Sequence, residues 1–131
     1  MSEWVFLFEE SLGRFIPEEF ARATHAHVKR HSEAFPYGRE DHEWIPMAAR
    51  RGWVIVSKDK RIRSRPLEYQ ALLASKARFF YLRYGDLTKE ASAEAFITAY
   101  PKMLKILDGT HPPFIARISP SGAVEIEGIL A

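Results

Sequence analysis

The chain contains no cysteine among its 131 residues. This absence excludes a disulfide scaffold, a thiolate zinc site, an iron–sulfur cluster and a cysteine nucleophile. The chain also has no apolar run close to the ~20 residues of a membrane span. Its first residues, Met1 to Trp4, lack the basic start of a signal peptide. We therefore expect a cytoplasmic protein with no membrane partner.

The composition is that of an ordinary globular protein, with 47% hydrophobic and 27% charged residues. A chain of this length buries about two thirds of its unfolded surface, and residues 1–131 are predicted to form one domain. The net charge of +2 is unevenly spread, because residues 47–83 carry 10 Lys and Arg against 2 Asp and Glu. A basic segment of this kind is typical of a surface that binds a polyanion, but ion pairs within the fold would also account for it.

Continuously apolar runs predict strands that are buried on both faces, as in a parallel sheet. Residues 4–8 and 53–57 are such runs, and a third run, at 77–83, is apolar from Phe79 to Leu82. A weaker strand is predicted at 27–31. The chain ends in two further strands, at 114–118 and 123–127, on either side of the turn sequence from Ser119 to Gly122.

Helices are predicted between these strands from their caps and apolar spacing. They cover residues 18–22, 41–51, 66–75 and about 88–108. A kink or restart is expected at Pro101, and residues 32–40 are predicted to form a loop. Because strands and helices alternate, the sequence predicts an α/β fold, a three-layer sandwich with a mainly parallel central sheet and a C-terminal hairpin or edge strand.

Acidic residues follow the predicted strands at the point where each strand ends. Glu9 and Glu10 follow the first run, Asp59 follows the second, and Asp86 follows the third. Asp41 begins the helix that leads into the second run. Ligands of open α/β sheets bind at the carboxyl ends of the strands, so these carboxylates are expected to lie along one rim. Their oxygen donors suit Mg²⁺ or Mn²⁺ rather than Zn²⁺.

Some of these acids also have a purely structural interpretation. Asp41 and Asp86 each precede a helix and would serve as N-caps, and Glu10 would face solvent.

Asp59 is the strongest candidate for a metal ligand because it lies within a cluster of cations. Ser57 adds a hydroxyl at the same strand end. The cations, which are expected to bind nucleic-acid phosphates, are Lys58, Lys60, Arg61, Arg63 and Arg65.

Short motifs along the chain resemble those of PIN-like domains. They are Phe8-Glu9-Glu10-Ser11-Leu12 after a buried strand, Asp41-x-x-Trp44 at the start of a helix, Val54-Ile55-Val56-Ser57-Lys58-Asp59 after another strand, and the late Pro112-Pro113-Phe114-Ile115. The resemblance covers nearly the whole chain and depends on the order and spacing of the motifs. The nearest subgroup is that of the VapC-type toxins of bacterial toxin–antitoxin pairs.

This resemblance implies a metal-dependent ribonuclease, which hydrolyses RNA with one or two bound Mg²⁺ or Mn²⁺ ions. By motif position, Glu9, Glu10, Asp41 and Asp59 would be the catalytic acids, and all except Glu10 would bind the metal. The basic residues from Lys58 to Arg65 would bind the phosphates of the RNA substrate. Ser57 and Asp86 would be accessory groups. The family also implies a cognate antitoxin protein and a homodimer.

The sequence departs from the family pattern in two places. Family members usually have Asp-Glu-Asn where this chain has Glu9-Glu10-Ser11, and many have a further acid at the position of Arg61. These departures leave open a second interpretation, in which a PIN-like module binds RNA or a partner protein without turnover. A third interpretation, a phosphoacceptor switch, lacks the lysine that such a switch needs after its fifth strand.

Tyr84, at the end of the third apolar run, has two interpretations. It would either stack on a nucleobase or pack against the end of its own strand, which is the commoner role of a tyrosine at such a position.

Overall fold

The computed structural model describes residues 3–35, 39–58, 61–84 and 86–127. Its strands are β1 (Val5–Phe8), β2 (His27–Arg30), β3 (Val54–Ser57), β4 (Arg78–Leu82), β5 (Phe114–Ile118) and β6 (Val124–Glu127). Its α-helices are α1 (Phe15–Thr24), α2 (His31–Ala34), α3 (Asp41–Arg50), α4 (Pro66–Ala74) and α5 (Lys89–Gly109). Short 3₁₀ helices are formed by Glu10–Leu12 and Ile62–Ser64.

The strands form one sheet in the order β2-β1-β3-β4-β5-β6. All neighbours are parallel except β5 and β6, which are antiparallel. The chain moves from β1 outward to β2 and then returns to place β3 on the other side of β1. The order of strands therefore reverses between β1 and β3, which is the switch point where α/β sheets form a ligand-binding crevice.

Helices cover both faces of the sheet, which explains why the central parallel strands β1, β3 and β4 are apolar at almost every position. Phe6 and Phe8 of β1 pack with α1 and α5 on one face. Leu7, between them, packs with α3 and α4 on the other face. Consecutive residues of a strand point to opposite faces, so each core receives every second side chain. The predicted three-layer α/β sandwich is confirmed.

One local prediction is wrong. Residues 32–34, predicted as part of a loop, and His31, predicted as the end of a strand, form the one-turn helix α2, and the Arg30 amide donates to the Glu33 carboxylate at 3.1 Å, which stabilises its first turn. At Pro101, where a kink or restart was expected, the helix α5 continues without a restart. Proline removes one backbone donor, but packing of buried residues on both sides of it, Ala99 and Met103, holds the helix in the core.

The C-terminal strands form the predicted hairpin, with β6 at the edge of the sheet. The Gly122 amide donates to the Ser119 carbonyl at 2.9 Å and closes the turn. Gly122 has φ +87, and a Cβ atom there would lie 2.5 Å from Thr98 Cγ2. Glycine is therefore required both by the backbone conformation and by the close approach of the turn to α5.

Among the described residues, no helix combines the length and the apolar composition needed to cross a bilayer.

Candidate active site

A pocket of about 660 Å³ opens at the carboxyl ends of β1 and β3. Its polar and charged lining comes from several separate segments of the chain. It consists of Glu9, Ser11, Asp41, Ser57, Lys58, Arg61, Arg65, Tyr84 and Asp86. This pocket, called the switch-point pocket below, brings together most of the site residues expected from the sequence.

Glu9 is held in place by both of the strands that meet at the switch point. Its backbone amide donates to the Val56 carbonyl of β3 at 2.8 Å. Its carboxylate accepts from the Ser11 amide at 2.8 Å and from the Ser57 hydroxyl at 3.1 Å. The Ser11 hydroxyl donates to the same carboxylate. These donors fix the orientation of Glu9 before any ligand binds.

The role of Ser11 was not predicted from the sequence, where it appeared only as a departure from the family pattern. Glu9 is the N-cap of the 3₁₀ turn Glu10–Leu12, and its side chain accepts from the Ser11 amide two residues on. An acid placed two residues before a serine at the end of a strand is the sequence signal that was available for this contact. Ser57 was expected as an accessory group, and it contacts Glu9 directly.

Asp41 lies in the first turn of α3 and is held by a buried indole. The Trp44 Nε1–H group donates to Asp41 Oδ1 at 2.9 Å. Residues three apart lie on the same face of a helix, so the Asp41-x-x-Trp44 spacing creates this contact. Trp44 is packed within the core on the α3 side of the sheet. The indole therefore joins the core to the carboxylate at the pocket.

Neither Asp41 nor Asp86 is the N-cap of its helix, contrary to the structural interpretation. The N-cap of α3 is Glu40, whose amide donates to the Glu43 carboxylate at 3.0 Å. The N-cap of α5 is Thr88, whose hydroxyl accepts from the Ala91 amide at 3.0 Å. Both aspartates instead line the switch-point pocket.

Glu10 lies apart from Glu9. It lines a neighbouring, smaller pocket of about 480 Å³, together with His31, Arg39, Glu40 and Glu68. Asp41 and Arg65 line both pockets. The chain turns into the 3₁₀ helix directly after Glu9, so these two consecutive glutamates point in different directions.

The basic residues expected to bind phosphates do not all lie together. Lys58, Arg61 and Arg65 line the switch-point pocket. Arg63 instead lies towards β6, with its Nη1 atom 3.9 Å from Glu127 Oε1. Asp59 and Lys60 lie outside the described residues.

Glu127 is also bound by a buried tyrosine. The Tyr81 hydroxyl donates to Glu127 Oε2 at 2.6 Å, and Arg117 Nη1 lies 3.8 Å from the same oxygen. Burial, together with this hydrogen bond, raises the pKa of Tyr81 to about 12. Arg63 therefore belongs to an ion-pair network at the β6 edge of the sheet, and it is not among the described residues that line the switch-point pocket.

The donor chemistry of the switch-point pocket fits a hard divalent cation. Within the ranges 3–35, 39–58, 61–84 and 86–127, no group of three or more His, Asp or Glu side chains could hold a metal ion. Mg²⁺, however, usually retains several waters and is bound by one or two carboxylates together with phosphate oxygens of the substrate. Glu9 and Asp41 meet this smaller requirement because both line the pocket and both are oriented by hydrogen bonds.

Comparison with curated proteins finds a bacterial relative. The chain is 32% identical over 87 residues to Putative ribonuclease VapC45 of Mycobacterium tuberculosis (strain ATCC 25618 / H37Rv). The match covers 66% of this chain and 62% of the relative, so it spans less than two thirds of the relative's length. No solved structure shows significant similarity to the chain.

The sequence profile described as PIN like domain matches residues 5–84, which is more than half of the chain. This range begins with β1 and ends just beyond β4. It includes five of the residues that line the pocket, Glu9, Asp41, Ser57, Lys58 and Tyr84. The chain belongs to the PIN-like domain family.

Proposed function

We propose that this protein is a ribonuclease that hydrolyses phosphodiester bonds in RNA with bound Mg²⁺ or Mn²⁺. The observation that carries the proposal is that Glu9 and Asp41 line one pocket at the switch point of the sheet, together with Lys58, Arg61 and Arg65. Two oriented carboxylates beside several cations suit a site for a metal ion and a phosphodiester. The name of the mycobacterial relative supports the same activity.

The protein's own groups would bind and orient the reactants. Glu9 and Asp41 would hold the metal ion, with Asp59 as a further ligand. When bound, the ion would activate a water molecule and neutralise charge that develops on the phosphate. Because Ser11, Ser57 and Trp44 already fix the two carboxylates, little reorganisation would be needed during the reaction.

The cations at the rim would bind the RNA backbone. Lys58, Arg61 and Arg65 line the pocket on the β3 side, where they would contact phosphates on either side of the scissile bond. Arginine binds phosphate through two parallel hydrogen bonds, which fixes position as well as supplying charge. In this arrangement Arg61, a departure from the family pattern, would act in substrate binding.

The resemblance to VapC-type toxins extends the proposal to a biological setting. The protein would act as the toxin of a toxin–antitoxin pair, and a cognate antitoxin would inhibit it. The homodimer and the cytoplasmic location remain predictions from the sequence. A small open reading frame next to this one, whose product binds the protein, would support the antitoxin.

Removal of divalent metal is expected to lower RNA cleavage by at least about 100-fold, because the metal supplies several kcal/mol of stabilisation in such reactions. The measurement is gel analysis of a labelled single-stranded RNA with the purified protein in Mg²⁺ or Mn²⁺, in EDTA, and after the metal is restored. Asp41→Asn, purified in parallel, controls for contaminating nucleases. Cleavage that persists in EDTA would contradict the metal mechanism. Tight RNA binding without cleavage in either metal would favour the module without turnover.

Trp44→Phe is expected to weaken Mn²⁺ binding and RNA cleavage by about 10- to 100-fold, because groups that orient a metal ligand contribute this much. Phenylalanine retains an aromatic ring in the core but cannot donate to Asp41. Calorimetric titration with Mn²⁺ measures the affinity, and cleavage at saturating Mn²⁺ shows how much activity is rescued.

Trp53→Phe is the matched control. The Trp53 ring contacts two cations, with Lys29 Nζ 5.6 Å and Arg51 Cζ 4.9 Å from its centroid, and Trp53 is not among the described residues that line the pocket. An equal loss of Mn²⁺ affinity in both variants would show that the indole hydrogen bond has no special role.

A further inference from the structure

Tyr84 is a large aromatic side chain exposed at the wall of the switch-point pocket. It follows β4 after one intervening residue, and 46% of its surface is exposed. It lines the same pocket as Glu9 and Asp41. The packing interpretation of Tyr84 does not agree with this exposure, because a tyrosine that served only to close the strand end would be largely buried.

The ring of Tyr84 is paired with a cation. The Arg83 guanidinium lies 5.2 Å from the ring centroid, within the distance of a cation–π contact. The Arg83 backbone is itself fixed, because its amide donates to the Ile118 carbonyl of β5 at 2.9 Å. The ring is therefore supported by a residue anchored to the sheet.

The rest of the pocket would place RNA within reach of this ring. Apolar side chains, Ile62 and Phe79, line it together with the cations of the β3 side. Backbone phosphates bound by Lys58, Arg61 and Arg65 would leave bases free to contact an aromatic wall. Proteins that bind single strands combine these two elements, a charged track for phosphates and aromatic rings for bases.

We propose that Tyr84, supported by Arg83, is a stacking site for one nucleobase of single-stranded RNA bound at the switch-point pocket. This inference rests on the proposed function and adds to it the form of the substrate. The base must be unpaired, since bases within a double helix cannot present a face to the ring. Stacking on a ring tolerates every base, so Tyr84 would set the position and affinity of the strand and not its sequence.

The test is RNA binding by fluorescence anisotropy with a short labelled oligoribonucleotide in EDTA, where the strand is not cleaved. Tyr84→Ala is expected to weaken binding by about 5- to 150-fold, the range for one stacked base. Tyr84→Phe and Tyr84→Trp retain most of the affinity because they retain a ring. The slope of affinity against salt stays the same in all of them, because it reports phosphate contacts.

A second measurement does not depend on any variant. An oligoribonucleotide with the same phosphates but abasic positions is expected to bind the wild-type protein as weakly as the normal strand binds Tyr84→Ala. Tyr84→Ala is then expected to cause little further loss with the abasic strand.

Leu67→Ala is the matched control, because Leu67 is a large apolar side chain that is 64% exposed on α4 and is not among the described residues that line the pocket.

Three results would overturn the stacking site. They are an affinity of Tyr84→Ala within about twofold of wild type, a loss in Tyr84→Phe as large as in Tyr84→Ala, and equal binding of normal and abasic strands by the wild type. Each of these results is compatible with metal-dependent cleavage, so the ribonuclease proposal would stand. Conversely, suppose that Tyr84→Ala weakens RNA binding as expected but the wild-type protein cleaves no RNA. The stacking site would then stand, and the ribonuclease proposal would be overturned.

Discussion

Glu9→Gln is expected to lower RNA cleavage by at least about 100-fold, similar to the loss of one oriented catalytic contact in other enzymes. Glutamine has nearly the same size but no negative charge for a metal ion. Its amide would also place a donor next to the Ser11 amide or the Ser57 hydroxyl, which now donate to the carboxylate. This mismatch is expected to lower the free energy of unfolding by only about 1–3 kcal/mol. Cleavage rates and urea denaturation of the same preparation separate the two effects.

Glu10→Gln is the matched control for this variant. The chemical change is the same and the position is adjacent, but Glu10 lines the neighbouring pocket. We expect the Glu10 variant to retain cleavage within a few-fold of wild type. If both variants lose activity equally, the catalytic role predicted for Glu10 from the sequence is supported, and the separation of the two glutamates has no functional meaning. Full activity in Glu9→Gln would contradict the proposed site.

Phe20→Ala is expected to lower the free energy of unfolding by about 3–5 kcal/mol, the usual cost of removing a buried phenylalanine ring. Phe20 of α1 has no exposed surface. Its ring centroid lies 5.6 Å from that of Phe6, 5.2 Å from that of Phe8 and 5.3 Å from that of Tyr100. The substitution would leave a cavity between β1, α1 and α5. Domains of this kind have a total free energy of unfolding of about 5–15 kcal/mol, so the substitution would remove a large share of it.

Urea denaturation followed by circular dichroism measures this loss. Leu67→Ala provides the comparison, since removal of a mostly exposed side chain changes stability by no more than about 0.5 kcal/mol. A loss below about 1 kcal/mol in Phe20→Ala would contradict the central position of this ring in the core.

The strands could be predicted from the sequence because burial on both faces leaves a direct signal. The run at 53–57 is apolar except for Ser57, the run at 77–83 is apolar from Phe79 to Leu82, and the observed β3 and β4 lie within these two runs. The helix α2 could not be predicted, because four residues are too few to show a helical period. Pro101 indicated a break, but the burial of Ala99 and Met103 was not visible from local sequence alone.

The sequence predicts which strand ends carry the candidate site, but it does not predict the direction in which each side chain points. The rule that strand ends share one edge predicted Glu9 and Asp86 at the same rim, and both line one pocket together with Asp41. The separation of Glu10 from Glu9 depends on how the backbone turns into the 3₁₀ helix. The departure of Arg63 towards Glu127 likewise depends on the turn at Ile62–Ser64. Such turns are set by tertiary packing, as shown by the burial of Ile62.

The contact between Glu9 and Ser57 joins an early part of the chain to a much later one. During translation, Glu9 is made well before Ser57. The nascent chain therefore has no complete pocket until β3 has emerged and paired with β1, and the order of synthesis delays the assembly of the site.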